Sequence, residues 1–97
     1  MTTVSPPPVP DHAAIRAASD RRLQTIFPRP APVWVVNEEY GHDGPVWRVT
    51  LICQGERGRW MWRRYRYDIP SDTIHFAGEQ PASDSELLAA RRDGRRL

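Results

Sequence analysis

The segment Arg59-Trp60-Met61-Trp62-Arg63-Arg64-Tyr65-Arg66-Tyr67 holds the residues best suited to chemistry in this chain. Arginine forks hold carboxylate and phosphate bidentately, and guanidinium groups stack on rings. Trp, Tyr and Arg are also the side chains over-represented at binding hot spots. A run of this composition reads as a β-strand, so its side chains alternate between two faces. Trp60, Trp62, Arg64 and Arg66 fall on one face, and Met61, Arg63, Tyr65, Tyr67 and Ile69 on the other. The second set, with Met, Tyr and Ile, is the better core candidate. That assigns Trp60, Trp62, Arg64 and Arg66 to an open face, with Arg48 and Thr50 of the preceding strand beside them. The alternative is the reverse, with both tryptophans in the core and Tyr65 and Tyr67 facing water.

Two kinds of partner suit such a face. A protein partner, or a second copy of the chain, would use the tryptophans as anchors. A single-stranded nucleic acid would stack bases on them while arginines attract the backbone. A second group of basic residues, Arg91, Arg92, Arg95 and Arg96, lies at the C-terminal end and is a candidate contact for phosphates or an acidic partner.

Catalytic signatures are lacking. His12, His42 and His75 are too scattered for a metal-ligand spacing. His42-Asp43 sits in a Gly-flanked turn. Glu38 and Glu39 are neighbours on a strand and point apart, so they do not form a carboxylate pair. Cys53 lies in an apolar strand, where burial keeps a thiol inert. The sequence therefore predicts a non-enzymatic protein with no metal and no cofactor.

The elements that position these residues follow from pattern. The chain has 97 residues, a formal charge of +2 and a pI of about 9.2. All 14 basic residues are Arg, which a GC-rich genome also produces. One small domain is the most that length allows. It is small enough that association would help its stability. The first ten residues, with Val4-Ser-Pro-Pro-Pro-Val-Pro10, read as a flexible Pro-rich arm, leaving residues 11–97 as the domain. Asp11 is placed to cap a helix that runs to about Phe27, with Ile15, Ala18, Leu23 and Ile26 near one face. Pro28 ends it. Val33–Tyr40, Val46–Gln54 and Arg59–Ile69 read as three strands joined by Gly41–Pro45 and Gly55–Gly58. In the second strand Trp47, Val49, Leu51 and Cys53 form the cleaner apolar face, and its latter half is apolar on both sides. Thr73–Phe76 reads either as a short fourth strand or as an irregular return. Ser83-Asp-Ser-Glu86 matches a capping box for a second helix that closes at Gly94 as a C′ residue.

The expected fold is thus α+β: helix, three-stranded antiparallel meander, helix, with both helices on one sheet face and the other face open. No apolar run approaches the length of a membrane span. A lone cysteine and the lack of a recognisable leader fit a cytoplasmic setting.

The element order, with Pro32-Val33 entering the first strand and Gly44-Pro45-Val46 entering the second, is similar to that of the double-stranded RNA-binding domain. That family opens its last helix with a Lys-rich phosphate clamp. Here the last helix opens Ser83-Asp84-Ser85-Glu86, which is acidic and repels phosphate. The resemblance implies the element order and argues against duplex binding at the place where the family binds it.

Overall fold

The computed structural model describes residues 11–97. The Pro-rich arm, residues 1–10, lies outside the described residues. The elements are α1 (His12–Ile26), β1 (Trp34–Tyr40), β2 (Val46–Gln54), β3 (Trp60–Asp68), β4 (Thr73–Pro81), α2 (Asp84–Asp93) and β5 (Arg95–Arg96), with one short 3-10 turn, Glu56–Gly58, between β2 and β3. The sheet is antiparallel throughout, in the order β4-β3-β2-β1-β5.

Both helices start where their sequences provide a cap. The Asp11 side chain accepts from the Ala14 amide at 3.1 Å. Ser83 accepts from the Glu86 amide while Glu86 reaches back to the Ser83 amide, satisfying two otherwise orphan donors. Gly94 ends α2 with φ −77°, so it is not the left-handed C′ residue expected from sequence. Its requirement is spatial: a Cβ there would stand 2.5 Å from the Ala90 carbonyl oxygen and 3.2 Å from the Trp34 Cβ.

The sheet has five strands, not three. β4 is complete over nine residues and pairs with β3 from Met61 to Asp68. Ala77-Gly78-Glu79 are poor strand formers, which hid this strand in the sequence. The chain accommodates them with a bulge: Tyr65 pairs with Phe76 and Arg64 with Gly78, and Gly78 takes φ +146°, a conformation that favours glycine. β5 is two residues long and pairs with Trp34 and Val35 at the opposite edge. It is fixed by Leu97, which is buried and whose amide donates to the Val33 carbonyl at 3.0 Å.

The helices lie on opposite faces of the sheet, which corrects the expectation that both share one. On the α1 face, Leu23 packs with Val35, Trp47, Val49, Leu51, Cys53, Tyr65 and Tyr67. On the α2 face, Leu87 and Ala90 pack on Ile52, with Trp34, Val36, Trp60 and Trp62 around them. Ile52 is fully buried although it points away from Leu51, so β2 is covered on both sides at that level.

The coverage of the α2 face is partial. Ten residues of helix span about 15 Å, whereas nine residues of strand span about 30 Å. One half of this face therefore lies beneath α2, and the other half stays open.

Candidate functional site

The open half of the α2 face is read from cross-strand register. Glu39 pairs with Arg48, Arg48 with Arg66, and Arg66 with His75, making one row across four strands. The next row runs Asn37, Thr50, Arg64, Gly78. The short loop Gly55–Arg59 fixes this register, because it pairs Gln54 with Trp60 and every later pair follows. Arg48, Arg64, Arg66 and His75 are exposed. A shallow cavity of about 410 Å³ lies over these rows, between Asn37, Asp43, Arg48, Thr50 and Arg64. A Cβ built on Gly78 would meet nothing within 4 Å, so the space beside Arg64 is left empty.

Three arginines, Arg48, Arg64 and Arg66, and two acids, Glu39 and Asp43, line the cavity on this half. Arg48 stands directly opposite Arg66, and like charges opposed on an antiparallel pair destabilise it. Arg48 has one partner, Asp43 at 3.2 Å, but both side chains are largely exposed, 44% and 84%, so the pair contributes little. Arg64 and Arg66 make no ion pair and no side-chain hydrogen bond among the described residues. Glu39 at the end of the row stands opposite Arg48, and Asp68 follows Arg66 by two residues on the same face of β3.

Several other arginines are engaged within the fold, whereas Arg21, Arg29, Arg57 and Arg59 are exposed and, among the described residues, make no ion pair. Arg63, one residue from Arg64 but on the α1 face, donates to Glu79 at 3.1 Å and lies over the Phe27 ring at 5.9 Å. Arg22 donates to Asp72, and this bond, with that from Tyr67, holds the Asp72 carboxyl down at about 2. Glu38 is the acceptor of a nearly buried network: Arg16 donates at 2.8 Å, Arg95 at 3.0 Å and the Trp47 indole at 3.1 Å, with the Glu38 side chain only 10% exposed.

The C-terminal basic residues are not gathered into one patch. Arg95 is spent on Asp20, at 2.7 Å, and on Glu38. Arg96 donates to the Pro30 and Ala31 carbonyls at 3.1 and 3.3 Å, and its guanidinium lies 4.9 Å from the centre of Trp34. Arg91 sits over both Trp34 and Trp60, at 5.5 and 5.3 Å. Arg92 pairs with its neighbour Asp93 at 3.0 Å.

Trp60 and Trp62 lie on the face that alternation assigned to them, together with Arg64, Arg66 and Arg48. They are packed, not bare. Trp60 tilts against Trp34 with ring centres 5.8 Å apart. Trp62 lies against the α2 cluster and donates its indole N–H to Glu86. Glu86, already bonded by Ser83, is held below the usual carboxylate range by these three contacts, the Ser83 backbone first. Tyr65 and Tyr67 are buried on the α1 face, where the alternation put them.

Sequence reasoning missed Asn37, Asp43 and Gly78 as neighbours of the arginines. The signal that finds them is the hairpin register, not the composition of any one strand. Cys53 is buried, and burial pushes its thiol up, away from the nucleophilic thiolate. No cluster of His, Cys, Asp and Glu suited to a metal occurs among the described residues, and no helix there is long and apolar enough to cross a membrane. Comparison with protein-family models, with curated proteins and with solved structures returned no match.

Proposed function

We propose that this chain is a non-enzymatic adaptor that holds an acidic segment of a protein partner, or of a second copy, on the open half of its α2 face. Arg64 and Arg66 make the charged contacts, and Arg48 joins them by exchanging Asp43 for the incoming carboxylate. The observation that carries this reading is the pairing of Arg48 with Arg66, which opposes two arginines on neighbouring strands, with Arg64 and Arg66 making no ion pair among the described residues. An arrangement that costs stability in the free protein and is relieved by an anion is what a binding site for one requires.

A nucleic acid is the competing anion. The open half offers it arginines, but Trp60 and Trp62, which would stack bases, are packed beneath α2.

The test is a titration of the whole chain with a fluorescein-labelled peptide carrying Asp and Glu and, separately, with single-stranded and duplex oligonucleotides, at low and high salt. The reading expects peptide binding that Arg64→Glu/Arg66→Glu removes. Oligonucleotide binding of equal or greater strength, lost steeply with salt, would transfer the site to nucleic acid. Sedimentation of the free chain reports whether a second copy takes the site.

A further inference from the structure

The open groove does not end at a plain wall. Where it meets α2 there is a second depression of about 230 Å³, floored by Val36 and Trp62 and walled by Ala89, Ala90 and Gly94. It adjoins the arginine rows directly. Val36 precedes Asn37 on β1, and Trp62 lies two residues before Arg64 on β3. Two strand residues span about 7 Å, so the notch is about 7 Å from Arg64 and about 13 Å from Arg66 along the strand. A cavity of about 150 Å³ suffices for a benzene molecule, so this notch has room for one Leu-sized or Phe-sized side chain.

Two acids, Glu86 and Asp93, stand at its rim. Glu86 accepts from the Trp62 indole and the Ser83 amide, and Asp93 is bound by Arg92. The Arg92–Asp93 pair is largely exposed and offsets Asp93 little, but the floor of the notch presents aliphatic and indole surface, while the groove beside it presents the unpaired guanidinium groups of Arg64 and Arg66. This polarity change along one line of strand constrains the ligand more closely than charge alone.

We infer that the partner segment is acidic and hydrophobic together: an extended stretch with one large apolar residue seated in the notch against Ala89 and Trp62, and acids two and four residues away on Arg64 and Arg66. This rests on the reading of the open face as a site for an acidic segment. It adds the apolar anchor and its spacing. A site of charge alone accepts any acidic chain, whereas an anchor at fixed distance selects among them.

The test is a random twelve-residue peptide display library panned over the immobilised whole chain, followed by one selected peptide made synthetically. The expected result is enrichment of Asp and Glu with Leu, Ile, Phe or Met two residues from an acid. In the synthetic peptide, replacing the apolar residue by Ala weakens binding about tenfold, as loss of one buried apolar side chain does. Ala89→Gln fills the notch from a half-exposed helix position, with the fold checked by circular dichroism. It weakens the anchored peptide by a similar factor and leaves the Ala-substituted peptide unchanged. Acidic enrichment without an apolar preference, or an apolar effect that survives Ala89→Gln undiminished, overturns the inference and leaves the acidic site standing. Selected peptides without acidic enrichment, or indifferent to Arg64→Glu/Arg66→Glu, overturn the acidic site itself and the inference with it.

Discussion

Trp62 and Arg64 are two residues apart on β3 and project from the same side of the sheet, yet they belong to different surfaces. Trp62 meets Leu87 and Ala90 from α2, Ile52 from β2 and Glu86 at its indole nitrogen. Arg64 meets Thr50 on one side and the bare backbone of Gly78 on the other. The boundary between the two is the reach of a ten-residue helix over nine-residue strands. On the covered half, apolar burial sets the stability of the region. On the open half no burial is available, and the side chains there cost stability where they oppose one another. The difference separates residues that maintain the fold from residues free to bind.

The comparison breaks first if the covered half is not a core. Ile52 is fully buried between the faces. Ile52→Ala should cost about 3 kcal/mol, the usual range for such a cavity, in a domain whose total stability is of order 5 kcal/mol or slightly more. Urea unfolding measures it. Peptide affinity per folded molecule should stay as in the parent chain. A cost below about 1 kcal/mol would mean that α2 is not packed on β2 as described.

Next in size is the paired set of arginines. Glu38→Ala deprives Arg16, Arg95 and the Trp47 indole of their shared acceptor. A fully buried network would lose more, but Arg16 and Arg95 are 46% and 36% exposed, so the loss should be nearer 2 kcal/mol. Glu38→Gln, which keeps an acceptor for the indole, should cost less. Because Arg95 ties β5 to α1, hydrogen exchange at β5 and Leu97 should quicken in both variants. Unchanged protection there would show that Leu97 alone holds the C-terminal edge.

These predictions use residues whose places were unequally legible. The inward set Tyr65 and Tyr67, the apolar face Trp47-Val49-Leu51-Cys53 and both helix caps are all written in alternation and capping chemistry, and the structure holds them as read. The two-sided core was also written, in Ile52: a strand apolar on both sides at one level needs cover on both sides. Composition points to that cover without saying that α2 supplies it, since the side a helix takes depends on how the chain turns at Pro81-Ala82, and no side chain there encodes the direction. β4 was obscured by its bulge residues, and β5 is too short to carry a periodicity. Alternation set Arg48 beside Arg64 and Arg66 on one face, but not which of them it opposes. Each arginine is ordinary in its own strand, and only pairing brings Arg48 against Arg66.

Acid should destabilise the chain through the carboxyls that the fold holds low. Asp72 is held at about 2 by Arg22 and Tyr67, and Glu86 is held below its usual range by Ser83 and then Trp62. A carboxyl lowered in the fold stabilises fully above its unfolded value, about 4, and loses that contribution as pH falls through the folded one. Stability should therefore decline below about pH 4. Asp72→Asn and Glu86→Gln should flatten that decline, followed by thermal unfolding between pH 2 and 6. Both carboxyls lie at the surface, so salt should reduce the effect. An acid limb unaltered in the double variant would show that these two carboxyls do not set it.

The smallest expected effect has the opposite sign. Arg66→Thr removes the like-charge opposition to Arg48 and installs a good strand former, so it should stabilise the chain by about 0.5 kcal/mol while weakening the acidic peptide. The gain should shrink between low salt and about 1 M salt, where the screening length falls to about 3 Å. Arg63→Thr is the control on the same strand: it loses Glu79 and the Phe27 ring and should destabilise. If Arg66→Thr destabilised as well, Arg66 would be engaged within the fold as Arg63 is, and the open half would lose its claim to differ from the covered one. Stabilisation with lost affinity would identify Arg66 as a residue whose placement costs the free protein and is offset only when an anion arrives.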